Sequence, residues 1–367
     1  MKIICLIDSL ASGGAQRQIT ELASGFKENN HDVEIVIYYD ELFYADTLHK
    51  NGVKIIPLFE RNYFKRVFRI RKYIRSSKPD IVLSFLQTPS FIATIASLPF
   101  KSWKLIVGER NADPIILKSY KEKFYRLFHI FADYIVGNSQ ANIDLVKKVN
   151  PFISSNKLKV IYNITNFGTE EYIDSWNSKP CLTSEKLLIV VAGRYQFQKN
   201  YLGLIEGVNQ LPDHYKEKIL IKCFGSSKGD KNYRLLCDNL LFKYNLNSVI
   251  ELNHATKEIK QEYLKADFVG LFSHYEGFPN TICEAMSMKK PLIVSAVSDV
   301  PILIEEGVNG FLCQPNDIKS ITNAIIRAIK SSASTREAMG VCNKIKSDKN
   351  FNKSKITNMY LKLFKKR

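Results

Sequence analysis

The chain has 367 residues, of which 45% are hydrophobic and 24% are charged, and its net charge is +17. That length is too great for one ordinary hydrophobic core, so it predicts two domains, and the composition excludes a disordered chain. The positive charge predicts an anionic partner: nucleic acid, an anionic membrane surface or a phosphorylated substrate.

Short apolar runs alternate with helical periods through the first half of the chain. Between the first two runs, Ala15, Ile19, Leu22, Ala23 and Phe26 have the spacing of an amphipathic helix. This alternation predicts a parallel sheet with helices on both faces. The predicted strands lie at 2–7, 33–38, 54–58, 81–85, 104–107 and 134–136.

The first strand and the cysteines indicate the cellular compartment in which the protein is expected. The strand lacks the long apolar core and cleavage site of a signal peptide, and the seven cysteines are scattered with no C-x-x-C pair. We therefore expect reduced thiols in the cytosol, without a disulfide framework or a zinc site. The segment 81–100 raises the question of a membrane span, but Gln87-Thr-Pro89 interrupts it and favours a buried strand followed by a short helix.

The pattern is lost between 163 and 184, where Asn, Thr, Ser and Glu predominate, and then resumes. We predict an N-terminal domain at 1–165, a linker at 166–184 and a second domain of the same kind at 185–350. A Lys-rich helix at 351–367 follows, with a return to the N-terminal domain as an open alternative. The second set of strands is predicted near 187–192, 219–224, 248–252, 268–272, 291–295 and 310–312. Two such α/β domains imply a ligand in the cleft between the carboxyl ends of their strands.

A glycine-rich loop, Ser12-Gly13-Gly14-Ala15, joins the first strand to the first helix. Glycines permit a tight turn there and a close approach of a ligand to the backbone. Neither this loop nor Gly225-Ser-Ser-Lys-Gly229 is G-x-G-x-x-G, and the chain has no G-x-x-x-x-G-K-[ST] and no D-x-D. A nicotinamide fingerprint, a P-loop nucleotidase and a carboxylate-pair metal site are therefore not indicated.

Two cations follow the first strand of the second domain, in Gly193-Arg194-Tyr-Gln-Phe-Gln-Lys199-Asn200. The planar fork of Arg194 and the point charge of Lys199 suit a diphosphate. Two solvated surface cations in a loop are the alternative.

Two glutamates lie eight residues apart in Ser273-His-Tyr-Glu276-Gly-Phe-Pro-Asn280-Thr281-Ile-Cys-Glu284. A helix is predicted to begin near Pro279, because proline fits the first helical position, and its first amides favour an anion. Carboxylates beside such a site indicate a ligand with both phosphates and hydroxyls. The alternative is a solvated helix start with acidic residues placed to suit the helix dipole.

In their order along most of the chain, these segments resemble the retaining glycosyltransferases of family 4, also known as glycosyl transferases group 1, of the bacterial surface-polysaccharide type. The resemblance includes the Gly13-Gly14 loop, the Arg194 to Asn200 loop and the Glu276 to Glu284 segment. Further matching segments are Val107-Gly-Glu-Arg-Asn-Ala-Asp-Pro114, Asn138-Ser139, Val160-Ile-Tyr-Asn163, Lys290-Pro-Leu-Ile-Val294 and Gly307-Val-Asn-Gly-Phe-Leu312.

The resemblance implies a GT-B fold, in which two Rossmann-like doubly wound domains face a central cleft and the second holds most of the nucleotide-sugar donor. It implies that Arg194 and Lys199 neutralise the donor diphosphate as the sugar–phosphate bond breaks. Glu276 is then expected to bind hydroxyls of the transferred sugar, and Glu284 those of the ribose.

The resemblance also implies that the amides of Asn280 and Thr281 assist at the phosphates, and that Gly14 lets the first domain close over the diphosphate. The family retains the anomeric configuration, by same-face attack assisted by the leaving phosphate. No enzymic nucleophile, metal or other cofactor is therefore expected.

The chain departs from many relatives in the first-domain loop where a His is common, and has Gly108-Glu109-Arg110 there. Glu109 and Arg110 are candidates for first-domain polar contacts, with a structural salt bridge at a strand end as the alternative. His254 and His274 are more typical of a strand end and a loop than of catalytic bases.

Basic residues are concentrated at 61–78, which has eight cations and no acid, and at 118–131, where cations mix with aromatics. In the first segment, Phe64, Val67, Phe68, Arg71 and Ile74 form a helical stripe that is apolar except at Arg71. Such helices suit an anionic bilayer surface, although the stripe packing on the sheet with solvated cations is the alternative. The sequence has no recognised nucleic-acid-binding motif, so we do not expect nucleic acid as a partner.

The sequence thus predicts a cytoplasmic glycosyltransferase, peripheral on the inner face of the cell membrane. Its predicted donor is a nucleotide-sugar, with UDP preferred over GDP from family habit, and its acceptor a saccharide or a lipid-diphosphate-linked saccharide. The alternatives are a nucleotide-sugar epimerase or hydrolase of the same fold, or a non-enzymatic protein that binds nucleic acid or membrane.

Overall fold

A computed structural model describes residues 1–165, 167, 173, 186–227 and 230–365. The contacts divide the chain into two compact units: Met1–Ile164 with Phe351–Arg367 form unit 1, and Thr165–Asn350 form unit 2. Apart from positions 167 and 173, the predicted linker at 166–184 lies outside the described residues.

Unit 1 is built on a parallel sheet of seven strands in the order β3-β2-β1-β4-β5-β6-β7. The order reverses direction between β1 and β4, which is the doubly wound arrangement. The strands are β1 Lys2–Leu6, β2 Asp32–Ile37, β3 Lys54–Pro57, β4 Ile81–Phe85, β5 Lys104–Glu109, β6 Tyr134–Gly137 and β7 Leu158–Val160.

Helices cover both faces of this sheet, because successive strand side chains point to opposite faces. On β1, Ile3 and Cys5 enter one buried cluster, and Ile4 and Leu6 enter another. The described helices of the first 164 residues are α1 Gly14–Glu28, α2 Ala45–Lys50, α3 Tyr63–Ser77, α4 Gln87–Ser97, α5 Tyr120–Leu127 and α6 Gln140–Val149. The 3-10 segments are Pro114–Leu117, Phe128–Phe131 and Ser155–Lys157.

Unit 2 has the same architecture in a parallel sheet of six strands, ordered β10-β9-β8-β11-β12-β13. The strands are β8 Leu187–Ala192, β9 Ile219–Gly225, β10 Ile250–His254, β11 Phe268–Leu271, β12 Leu292–Ser295 and β13 Gly310–Cys313. The described helices are α7 Tyr201–Asn209, α8 Asp213–Lys216, α9 Lys231–Lys243, α10 Ile259–Lys265, α11 Asn280–Ser287, α12 Val300–Leu303, α13 Ile318–Lys330 and α14 Ala333–Phe351. A 3-10 turn, Phe197–Lys199, precedes α7.

The last helix, α15 Lys353–Phe364, packs against α1 inside unit 1. The rings of Phe26 and Phe364 lie 5.1 Å apart, and those of Phe26 and Tyr360 lie 6.3 Å apart. Gly25 allows this approach, because a Cβ there would lie 2.4 Å from Thr357 Oγ1. One face of the unit 1 core is therefore completed by the end of the chain.

The α/β fold with two doubly wound domains is confirmed, and the predicted strands match observed ones. The exception is β7, which was not predicted as a strand. The apolar segment at 81–100 forms β4 and α4, and none of the described helices has the length and apolar character needed to span a bilayer.

Candidate active site

In unit 2, the loops that follow β8 and β11 lie at the point where the strand order reverses. Because β8 and β11 are hydrogen-bonded neighbours, the loops after them share one edge of the sheet. Such a point is where doubly wound sheets bind ligands. Lys199 ends the 3-10 turn after β8, and Glu276 lies in the loop after β11.

Lys199 and Glu276 form an ion pair, with 2.6 Å between Nζ and Oε1. Ser273 Oγ donates to the same Oε1 at 2.6 Å, whereas Oε2 has, among the described residues, only a 3.5 Å contact with Gln198 Nε2. Both charged side chains are largely buried, so the ammonium and the carboxylate hold each other in fixed positions. The sequence predicted separate partners for these residues, and the contact between them was not predicted.

The backbone around Lys199 is shaped for this position. A Cβ at Gly193 would lie 3.2 Å from Lys199 Cδ, so glycine gives the lysine stem room beside the end of β8. Asn200 is in the left-handed region at φ 53°, where its side chain accepts a hydrogen bond from Gly203 N and caps α7. Asn200 Nδ2 also donates to Pro315 O at 2.8 Å.

Arg194 follows the same strand, but its surroundings differ from those of Lys199. Its side chain is exposed, and it makes no hydrogen bond or ion pair with the residues that the structure describes. Its guanidinium therefore remains available for an external anion, whereas Lys199 already has an internal counter-ion.

Helix α11 begins at Asn280, directly after Pro279, as predicted. Thr281 Oγ1 donates to Ala192 O at 3.4 Å, which ties the first turn of the helix to the end of β8. Glu284 lies one turn further along and is buried. The first amides of α11 and the Glu284 carboxylate thus belong to the same unit as Lys199, Glu276 and Arg194.

Gly14, the remaining predicted site residue, is the first residue of α1 in unit 1. Gly13 caps this helix, and a Cβ there would lie 2.2 Å from Gln16 Oε1. Gln16 Nε2 in turn donates to Asp8 Oδ1 at 3.1 Å, so the loop is tied to the end of β1. The predicted contact of Gly14 with a donor diphosphate stays a prediction.

Glu109 forms a buried ion network. Arg126 Nη2 lies 2.9 Å from its Oε2, and His129 Nε2 lies 2.8 Å from its Oε1. Burial by itself would raise the pKa of Glu109, but the charges and hydrogen bonds of Arg126 and His129 outweigh it and hold that pKa below its ordinary value. The geometry matches the salt-bridge alternative for Glu109.

Arg110 is half-buried in unit 1 and donates hydrogen bonds to Asn163 and Tyr360. The two histidines weighed as bases lie in unit 2: His254 ends β10, and His274 stacks on Phe197 with 4.6 Å between ring centroids. His274 Nδ1 also lies 2.8 Å from Asn316 Oδ1.

Ser273 and Gln198 are members of the site that the sequence did not single out. The sequence signalled them only by position, since Gln198 adjoins Lys199 and Ser273 lies three residues before Glu276. Within the described residues, no group of three or more His, Cys, Asp or Glu side chains is arranged to hold a metal ion. The metal-independent reaction stays a prediction.

Two protein families match the chain. The family described as Glycosyl transferases group 1 matches residues 173–344, and the family described as Glycosyltransferase Family 4 matches residues 12–167.

Two bacterial enzymes are among the curated relatives that cover most of the chain. One is the "GalNAc-alpha-(1->4)-GalNAc-alpha-(1->3)-diNAcBac-PP-undecaprenol alpha-1,4-N-acetyl-D-galactosaminyltransferase" of Campylobacter jejuni, 25% identical over 86% of each chain. The other is the "Lipopolysaccharide 1,6-galactosyltransferase" of Escherichia coli, 24% identical over 90% of this chain and 89% of its own.

Among solved structures, HepE from Anabaena in complex with UDP superposes with a TM-score of 0.85, at 18% identity and over 99% of both chains. The lipopolysaccharide outer core galactosyltransferase WaaB superposes with a TM-score of 0.77, also at 18% identity and over 99% of both chains. At that identity the likeness shows the GT-B fold alone. The family matches, which together extend over most of both units, add the activity: the chain belongs to the GT-B glycosyltransferases of the family 4 type and is a transferase.

Proposed function

We propose that the protein is a retaining glycosyltransferase that moves a sugar from a UDP-sugar to a saccharide or lipid-linked saccharide in the synthesis of a surface polysaccharide or lipopolysaccharide. The observation that carries this proposal is the Lys199–Glu276 pair at the strand-order reversal of unit 2, in the same unit as the first turn of α11. The names of the relatives, which include a diphosphoundecaprenol-linked saccharide and a lipopolysaccharide, support the acceptor class.

Each group in unit 2 has a distinct part in the proposed reaction. Arg194 and Lys199 stabilise the negative charge that develops on the diphosphate as its bond to the anomeric carbon breaks. Glu276 Oε2 accepts hydrogen bonds from hydroxyls of the transferred sugar, since the other oxygen already serves Lys199 and Ser273. Glu284 binds the ribose hydroxyls, and the first amides of α11, at Asn280 and Thr281, bind phosphate oxygens.

The bond changes need no enzymic nucleophile. The acceptor oxygen attacks the anomeric carbon on the face that the diphosphate leaves, and the hydroxyl proton passes to a leaving phosphate oxygen. Because the two cations supply the positive charge, the reaction requires no metal ion.

Transfer assays with the full chain test this function. The protein is incubated with a panel of nucleotide sugars and a saccharide linked to a prenyl diphosphate, with and without EDTA. We expect transfer from a UDP-sugar, unaffected by EDTA, with the anomeric configuration of the donor retained in the product by NMR. An inverted linkage refutes the retaining mechanism. Conversion of the donor when no acceptor is present supports the epimerase or hydrolase alternative.

We also propose that unit 1 docks on an anionic membrane surface at the cytoplasmic face. Helix α3 buries Arg66, Ile70 and Ile74, whereas Phe64 and Phe68 are each 77% exposed. The exposed cations of this segment are Arg61, Lys65, Arg69, Lys72 and Lys78. Aromatic side chains among cations are typical of helices that lie at a bilayer surface.

A further inference from the structure

A pocket of about 410 Å³ lies wholly within unit 1. It opens at the carboxyl ends of the strands, where the order reverses between β1 and β4. Asp8 follows β1, Leu86 to Pro89 follow β4, and Arg110 follows β5. Doubly wound sheets bind ligands at this position, so the unit 1 pocket is a candidate site in its own right.

The charge of the unit 1 pocket is positive. Arg66, Arg110 and Lys121 line it together with one carboxylate, Asp8. Burial raises the pKa of Asp8, although hydrogen bonds from Ser9 N and Gln16 partly oppose this. A pocket with three cations and one weakened acid attracts an anion.

The two arginines have no carboxylate partner within the described residues. Arg66 is 5% exposed, and its guanidinium is held by Tyr39 Oη at 3.0 Å and by the carbonyl oxygens of Glu60 and Arg61. These acceptors are neutral, so a buried positive charge remains uncompensated, which is costly unless a counter-ion arrives.

Arg110 is held rigidly but incompletely. Asn163 Oδ1 accepts from Nη1 at 3.0 Å, Tyr360 Oη accepts from Nη2 at 2.6 Å, and the guanidinium lies 3.9 Å above the Phe85 ring. Its Nε is buried and has no hydrogen-bond partner in the part of the chain that the structure describes, and the same holds for Gln87 Nε2. Two unsatisfied donors that belong to residues of one pocket indicate a ligand with several acceptor oxygens.

We propose that the unit 1 pocket binds a phosphoryl group carried by the acceptor saccharide. Arg66 and Arg110 supply fixed charge, Gln87 and Arg110 supply hydrogen-bond donors, and Lys121 adds a mobile charge at the rim. A phosphoryl group offers the clustered anionic oxygens that these donors require. The inference rests on the proposed glycosyl transfer, because it assigns the pocket to the acceptor of that reaction.

Binding of pyrophosphate to the full-length protein, measured by calorimetry, tests the proposal without reference to activity. We expect Lys121→Ala and Gln87→Leu each to weaken binding about tenfold, the loss expected for a hydrogen bond to a charged group. Lys123→Ala, two positions along α5 and outside the pocket, is the matched control and keeps wild-type affinity. The binding that is lost in Lys199→Ala, a variant of unit 2, measures any pyrophosphate that binds at the donor site.

Two further probes distinguish the source of the phosphoryl group: a sugar 1-phosphate and a saccharide on a short-chain prenyl diphosphate. The proposal predicts that at least one of these two phosphorylated probes binds more tightly than the same saccharide without its phosphate. It is overturned if pyrophosphate does not bind, or if binding depends on Lys199 and not on Lys121 or Gln87. Intact pocket binding without transfer to any acceptor refutes the proposed function and leaves the pocket assignment standing.

Discussion

Lys199 and Glu284 are expected to act at different stages of the reaction. The Lys199 ammonium, which is buried beside Glu276, stabilises charge in the transition state, whereas the buried Glu284 carboxylate on α11 binds the donor. We expect Lys199→Ala to lower kcat by about 10²- to 10³-fold, the usual loss when one group that stabilises developing charge is removed. Glu284→Ala should instead weaken donor binding by about tenfold or more, through lost hydrogen bonds to the ribose. Initial rates and donor titrations measure both.

Lys265→Ala is a suitable control for the lysine, since Lys265 is exposed on α10 and pairs only with Glu262 among the described residues. It removes the same charge from unit 2 and should leave the rate unchanged. Wild-type activity in both Lys199→Ala and Glu284→Ala contradicts the assignment.

The buried network of Glu109 predicts a pH-dependent stability. Its pKa in the folded protein lies below the ordinary 4.5, so its contribution is complete above that value and is lost as the pH falls through the folded pKa. We expect Glu109→Gln to lower the free energy of unfolding by about 3–5 kcal/mol at pH 7, because the buried Arg126 guanidinium loses its buried carboxylate partner and keeps only the more exposed Glu122 among the described residues. Urea unfolding between pH 7 and pH 3 should show this difference shrinking.

Glu122→Gln provides the comparison for that experiment. Glu122 contacts the same Arg126 at 3.0 Å, but nearer the surface. Its loss should cost about 1 kcal/mol or less. A Glu109→Gln effect that is equally small, or independent of pH, contradicts the network's role.

At the scale of elements, the residues of the stripe predicted on α3 do not share one environment, because some are buried and others are exposed. Ile74 packs inward, as in the alternative interpretation, and the other buried positions are Arg66 and Ile70, whereas Phe64 and Phe68 face outward. Arg71 and Arg75 bind carbonyl oxygens near the end of α4, including Ile95 O and Leu98 O. Part of the positive charge in this segment thus holds two helices together, and only the rest is available to an external surface.

Phe64→Ala with Phe68→Ala tests the membrane surface on α3. We expect the double variant to bind phosphatidylglycerol vesicles about tenfold more weakly or worse, since each ring loses up to about 1.5–3 kcal/mol of apolar burial. Co-sedimentation at low and high salt measures the loss. Phe242→Ala, on α9 of unit 2 and 82% exposed, should bind as the wild type does. No vesicle binding by the wild type at low salt refutes the proposal.

The contact between α1 and α15 makes a second prediction for elements. Gly25→Ala should destabilise unit 1 by about 1–3 kcal/mol, because the new methyl group meets Thr357 Oγ1. Thr357→Ala should rescue it, since the hydroxyl has no hydrogen-bond partner among the described residues and the remaining Thr357 Cβ lies 3.4 Å from the added Cβ. Thermal unfolding of the two single variants and the double variant measures the rescue. An additive loss in the double variant contradicts it.

Most strands were predictable because strands buried on both faces are written as continuous apolar runs, as in Ile81-Val-Leu. The three-residue β7 was not, since Leu158-Lys-Val160 is half-buried at a sheet edge and carries a lysine. The site residues were found one loop at a time. The Lys199–Glu276 contact joins positions 77 residues apart, and it follows from the adjacency of β8 and β11, which no local pattern specifies.

At the scale of the whole molecule, unit 1 needs both ends of the chain. Ile356, Tyr360 and Phe364 belong to the same buried cluster as Phe26 and the β1 side chains. We expect removal of residues 351–367 to uncover this cluster and to make unit 1 sensitive to protease, while fragments of unit 2 remain protected. Limited proteolysis followed by mass spectrometry identifies the protected segments. Equal resistance of both units in the truncated protein contradicts the dependence.

Because α15 belongs to unit 1, the fold of unit 1 is completed late during synthesis on the ribosome. Unit 2 lies between the first 164 residues and α15 in the sequence, so once those residues have been made the apolar face of α1 still waits while almost 190 residues of unit 2 are translated. At about 5–20 residues per second, that delay is roughly 10–40 s. During this interval Phe26 and its neighbours lack the cover of α15, and we expect chaperones that bind exposed apolar surface to protect this face until α15 emerges.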